Sequence, residues 1–300
     1  MCLDNRFDMN NLKYFFFLAA LILFTLSACK KDNSANGNTD STSTAFSLAT
    51  LTPTGKSFNT SNFTNNARDI ELVGDSLFFV HSRGTNSVEC FFLLNKGDLN
   101  SAMHLAQFDV SDFIGSTNEG ANGHGIYIKK DDLSKMWLFN RTEIWEFDFE
   151  QAGDLTTVSH SNYLDLSYYV ERGHGIFFNS EGSCLYVDDR NKAMVHQFKL
   201  ANNWSISEIE NYEHFSIANY QEAVRSIAFN NDGTRMYLVG RSGAHIIFRQ
   251  FALSSAYDVS TASQDFSINI NTGTDQGSTW NGMKNLMFNA SGSRVFGVGA

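Results

Sequence analysis

The chain is poor in the features that usually announce a chemistry. Its 300 residues include only four cysteines, none in a CxxC pair or other metal-ligand spacing. There is no Gly-x-Ser-x-Gly, no His-Glu-x-x-His and no phosphate-binding glycine loop, so hydrolysis at a nucleophile elbow, zinc-peptidase chemistry and P-loop nucleotide binding have no support. Bases are scarce, with 22 Lys and Arg against 32 Asp and Glu, and the resulting net charge of −10 argues against a nucleic-acid partner. The one long apolar run, Tyr14–Leu26, is short for a membrane span and has the length of a signal-peptide core.

What the sequence does have begins just after that run. Leu26-Ser27-Ala28-Cys29 resembles a bacterial lipobox, which implies cleavage before Cys29, diacylation of its thiol and retention on a membrane by lipid. Met1–Asp8 carries two acids against one base, so Met9 suits the start of a leader better than Met1. Residues 1–28 are read as a lipoprotein signal peptide, 29–44 as a polar tether of low complexity, and 45–300 as one folded domain. Removing the leader takes away equal numbers of acids and bases, so the mature charge stays negative. Cys2 and Cys29 belong to the leader, whereas Cys90 and Cys184 fall in separate repeats, where no disulfide is expected.

Four in ten residues are hydrophobic and 27 are Phe, enough for a sizeable all-β core. A first-strand pattern recurs at Asp69-Ile70, Gly125-Ile126, Gly175-Ile176, Ser226-Ile227 and Asn285-Leu286. Second strands follow at Leu77–Val80, Met136–Phe139, Cys184–Val187, Met236–Val239 and Val295–Val298, often across turns such as Asn231-Asp232-Gly233, where Asp-Gly supplies the positive φ of a tight hairpin. A third-strand pattern, Phe-x-Leu or near it, appears at Phe46/Leu48, Phe92/Leu94, Phe147/Phe149, Phe198/Leu200 and Phe251/Leu253. The first of these has no preceding strands, and the last first-and-second pair has no third strand after it. The expectation is therefore a five-bladed β-propeller closed by N-terminal and C-terminal strands in one blade, which leaves no free sheet edge. The alternative is a partial or truncated piece of a larger propeller.

The stretch Phe229-Asn-Asn-Asp-Gly-Thr-Arg-Met-Tyr-Leu-Val-Gly240, with Gln250-Phe-Ala-Leu-Ser-Ser-Ala-Tyr-Asp-Val-Ser-Thr-Ala-Ser263, resembles the blade repeat of bacterial and phage surface propellers, roughly FxPDGTKMYVVG…VYQYxLSTxWDVSTAS. The match is close for that repeat, fair for Gly175–Ile206 and weak elsewhere; the proline often found before the aspartate is missing, Pro53 being the chain's only proline. The resemblance implies a propeller with an undefined binding role and brings no catalytic motif.

In a propeller, first strands line the central channel, and equivalent positions at their starts share one face. Two residues before each anchor stand Arg68, His124, His174, Arg225 and Lys284, all bases or histidines. The loops after the second strands carry Arg83, Arg141, Arg190 and Arg241, so that with Arg172 seven of the ten mature arginines map to this face. Two causes compete. Guanidinium forks converging on a channel mouth make a site for carboxylate, sulfate or phosphate. Alternatively these residues cap loop carbonyls, or Asp69, Asp188, Asp189, Glu143, Glu171 and Glu222 neutralise them locally.

The favoured reading is a monomeric, lipid-anchored binding module of the bacterial cell envelope, expected on the outer membrane, that takes an acidic glycan or a peptide carboxylate without cofactor or metal. One alternative is a glycan-cleaving enzyme using Glu171 and Glu222, which hold equivalent places in adjacent repeats. Another is a scaffold that docks a protein partner.

Overall fold

The computed structural model describes residues 45–50, 57–114, 124–220, 223–242, 245–271 and 283–299. Cys29 and the rest of 1–44, together with Glu222, lie outside the described residues.

The described chain is all-β, its helical segments being single 3-10 turns. Eighteen strands form four antiparallel four-stranded sheets and one pair. The first sheet is β1 (Ala67–Val73), β2 (Leu77–Ser82), β3 (Ser87–Leu93) and β4 (Ala102–Asp109). The second is β5 (Gly125–Ile128), β6 (Lys135–Asn140), β7 (Glu143–Phe149) and β8 (Val158–Asp165). The third is β9 (Ile176–Phe178), β10 (Cys184–Asp189), β11 (Met194–Leu200) and β12 (Ile209–Ser216). The fourth is β13 (Ala223–Phe229), β14 (Arg235–Ser242), β15 (His245–Leu253) and β16 (Ala262–Asn271). Strands β17 (Met287–Phe288) and β18 (Val295–Phe296) make the remaining pair. Each sheet is a meander in chain order, the blade of a β-propeller.

The core lies between blades rather than within one. Ile126, Met136 and Phe147 of the second blade bury against Phe79, Val88 and Cys90 of the first. Equivalent clusters join the second blade to the third and the third to the fourth. The ring then continues through the strand pair: Leu286 and Phe288 pack with Tyr237, Val239 and Phe248 of the fourth blade, while Met287 and Phe296 pack with Ile70, Leu72 and Phe91 of the first. Cys90 and Cys184 are free thiols in separate sheets.

The expectation of five four-stranded blades is corrected here, because the described residues form four such blades and a two-stranded fifth unit. The Phe46/Leu48 motif is not a third strand either. Leu48–Thr50 is a 3-10 turn, and Phe46 repeats the role of Tyr257 and Trp204, the aromatics that precede the equivalent segments of the fourth and third repeats. Each of the three sits at positive φ with its ring over the hairpin glycine of a repeat, Phe46 on Gly292, Tyr257 on Gly233 and Trp204 on Gly182, and donates its amide to that glycine's carbonyl at 2.8 Å. A Cβ on Gly233 would fall 2.2 Å from the Tyr257 ring, so glycine serves there both the turn and the aromatic lid. The Phe-x-Leu signal misled because an aromatic followed by an aliphatic two residues later also describes this turn.

Candidate functional site

Strand pairing brings the predicted residues to one end of the ring. The start of each first strand lies beside the end of its second strand, so Arg68 and Arg83, His124 and Arg141, His174 and Arg190, and Arg225 and Arg241 meet on the same face. Two of the inner residues are placed by the same backbone device. The β1–β2 register shifts between Ala67 and Asp69, and the β13–β14 register between Val224 and Ser226. Arg68 and Arg225 are thus the extra residues of β-bulges, which turn a side chain out of the regular alternation. Arg141, at φ 51, bridges to Gly173 and orders the approach to His174.

The charges crowd one another. Burial, then repulsion from Arg83, Arg225 and Arg172, brings the Arg68 guanidinium down to about 10. Burial and repulsion from Arg190, Arg241 and Arg172 lower Arg225, with Asp188 opposing. Arg141 and Arg190 are lowered by burial and by Arg172. Lys284 is brought down to about 8 by burial and by Arg68, Arg225 and Arg83. Mutual repulsion across five repeats means that these cations share one small region.

The described acids that could neutralise them are mostly engaged elsewhere. Asp69 is buried and accepts the amides of Ile70 and Ile126 and the Asn285 side chain, tying three repeats together. Asp189 would be raised by burial, but bonds from His196 and from the amides of Glu171, Lys192 and Asn191 bring it down to about 2. Glu143 accepts from Tyr163 at 2.8 Å, and Glu171 is exposed. Asp188 is fully buried and receives the amides of His174 and Gly175 on one oxygen; burial still pushes it up to about 7. Among the described residues no carboxylate forms an ion pair with Arg68, Arg141, Arg172, Arg190, Arg225 or Lys284. The Nε groups of Arg68, Arg141, Arg172 and Arg225 are buried without a hydrogen-bond acceptor. Lys284 differs, since its ammonium donates to Asn66 Oδ1 and the Ala67 carbonyl at 3.0 Å, so it also closes the ring.

His124 and His174 stand inside this mouth, 3% and 7% exposed, with ring centroids 4.4 Å apart and edge to face. Burial, followed by His174, Arg68 and Arg83, drives His124 far below the usual histidine value, and burial with Arg225, Arg190 and Arg172 brings His174 down to about 3. Both imidazoles are neutral at pH 7. Neither nitrogen of His124 has a partner, and Nδ1 of His174 has none.

Sequence reasoning overlooked two supporting residues. His81, buried and neutral, faces the Gly125 carbonyl at 3.1 Å, and Asn285 links to Asp69 and the Ile70 carbonyl. Neither breaks a sequence pattern; only the register against the first strand reveals them. Toward the other end of the channel lies a cavity of about 400 Å³ bordered by Leu72, Tyr127, Phe177 and Phe229, with the Glu71–Lys130 ion pair (3.0 Å) at its side. Its charged border is mainly acidic, Asp69, Glu71 and Asp131 against Lys130, unlike the basic mouth.

No protein-family model and no curated protein matches this sequence. Solved structures similar to the chain include a protein from Lactobacillus plantarum (11% identity, 75% of this chain and 61% of that one, TM-score 0.47). A candidate 6-phosphogluconolactonase from Bacteroides uniformis shares 13% identity over 76% of this chain and 62% of its own, with a TM-score of 0.46. The β-propeller domain of Cps50 (Swd1) from Myceliophteria thermophila shares 9% over 77% and 66%, with a TM-score of 0.43. The chain spans about three-fifths of the length of the first two. These likenesses concern strand arrangement and do not bear on function.

Proposed function

We propose that this chain is a binding module of the bacterial cell envelope, held on the outer membrane by lipid on Cys29 and acting as a monomer, whose arginine-lined channel mouth takes an anionic ligand. On this reading the ring has five positions, the fifth built from both ends of the domain. The observation that carries the proposal is the convergence of Arg68, Arg141, Arg172, Arg190 and Arg225 on one mouth with no ion-paired carboxylate among the described residues. In a chain of net charge −10, repelling cations held together by the fold are an unfilled electrostatic demand, and a bidentate anion meets it. Asp188 offsets only part of that demand, as the single acid acting on Arg225 and Arg190 against several arginines, with one oxygen taken by two amides. Reaction chemistry has less behind it: Glu171 is exposed on a loop whose amide is tied to Asp189.

The test is a panel of acidic and neutral oligosaccharides and carboxylate peptides, titrated at two salt concentrations. Saturable, salt-sensitive binding should weaken by about tenfold or more in Arg225→Ala, the loss of one charge-assisted hydrogen bond, and stay unchanged in Glu171→Gln. Binding indifferent to Arg225→Ala would sink the proposal, and turnover lost in Glu171→Gln would turn it toward the enzyme.

A further inference from the structure

The cationic mouth has a floor of a different chemistry, and the two together narrow the ligand. The rim offers permanent charges from several repeats, whereas His124 and His174 below offer neutral imidazoles. A buried polar atom without a partner is uncommon, since each such nitrogen forgoes hydrogen bonding that water would supply. Three of the four ring nitrogens here are in that state within one contacting pair. The neighbouring groups make no bond to them: Asp188 spends one oxygen on the amides of His174 and Gly175, His81 turns its Nδ1 to the Gly125 carbonyl, and the remaining Asp188 oxygen and His81 nitrogen are buried without a partner. A neutral imidazole presents one donor and one acceptor, so His124 requires a partner group of each kind.

From this we infer that the ligand is an acidic oligosaccharide, with its charged groups on the arginine rim and its hydroxyls reaching down to His124 and His174. The inference rests on the anion-binding reading above. A hydroxyl both donates and accepts at a single atom, so vicinal hydroxyls can satisfy either tautomer of both rings, whereas a carboxylate, sulfate or phosphate oxygen only accepts. Charged groups stay above because the floor already holds Asp188, and because neutral imidazoles return little for desolvating an anion. The cations span five repeats, and a ligand with one charge leaves most of them unmatched.

The experiment compares four probes on the full chain: trigalacturonate, tripolyphosphate, maltotriose and tetra-aspartate. Trigalacturonate should bind best, and His174→Phe should weaken it about tenfold, as expected for a lost buried hydrogen bond, while changing tripolyphosphate by less than about twofold. Because His174→Phe could disturb the floor, imidazole nitrogen spectra of the unmutated protein give a second readout: trigalacturonate should shift the His124 and His174 nitrogens and tripolyphosphate should not. Trigalacturonate binding without those shifts and without sensitivity to His174→Phe overturns the inference and leaves the anion site standing. Tighter binding of tetra-aspartate or tripolyphosphate than of trigalacturonate also overturns it. If none of the three anions binds, the anion site itself fails.

Discussion

At the scale of single residues, one lysine sets how the mouth responds to pH. Lys284 is held down to about 8 by burial and by Arg68, Arg225 and Arg83, while Asp188, raised by burial to about 7, sits beneath Arg225. Both titrations act on an anion in the same direction. As pH rises, Asp188 gains negative charge and Lys284 loses positive charge, so affinity should fall between about pH 7 and pH 8 and level off below that window. A bound anion favours the charged lysine and moves the upper step to higher pH by linkage. For stability Lys284 has the opposite sense: its lowered value penalises the fold in full below about pH 8, and the penalty is relieved as pH rises from there toward the ordinary lysine value of 10.5. Titrations of affinity against pH, repeated with Lys284→Met, check this. The variant should keep the lower step and lose the upper one, and an unchanged profile would show that Lys284 does not face the ligand.

At the scale of elements, the joints between blades repeat more faithfully than the strands do. A third-strand Glu or Gln accepts an amide from the turn or 3-10 segment that follows the aromatic of the next repeat: Glu146 from Ile206, Gln197 from Val259 and Gln250 from Leu48. Second-strand tyrosines do the same for the aromatic ahead of it, Tyr186 donating to the Tyr257 carbonyl and Tyr237 to that of Phe46. The N-terminal segment therefore occupies the place of a next repeat beside the fourth blade. Gln250→Ala should destabilise the domain by about 1–2 kcal/mol, the cost of leaving a buried amide unpaired. In a chain lacking Ala45–Thr50 the same substitution should cost much less, so denaturation of the four species forms a double-mutant cycle. Equal costs in both backgrounds would contradict the joint.

These joints also mark what could be read from the sequence. The first-strand anchors and Asn/Asp-Gly turns fixed the repeats correctly, because pleat alternation and positive φ are local demands written in local residues. The Phe46 segment was misread, since its turn is dictated by Gly292, more than two hundred residues away. The basic character of the mouth was legible by counting equivalent positions. The neutrality of its histidines was not, because it depends on burial and on neighbours that only the ring brings together.

At the scale of the whole molecule, an acidic body carries a basic mouth, and the lipid proposed on Cys29 would hold both at a membrane. The anchor is tested by metabolic labelling with a fatty acid: wild-type protein should label and fractionate with membranes, and Cys29→Ala should do neither. Retained label in Cys29→Ala would contradict it. The central claim is the anion site, and the most direct measurement follows the guanidinium Nε–H resonances during titration with trigalacturonate. Those of Arg68, Arg141, Arg172 and Arg225, buried without acceptors in the free protein, should shift together and saturate at one affinity, while Arg235 and Arg294, which lie in other repeat turns, stay still. Shifts absent from those four, or spread evenly over all the arginines, would contradict the site.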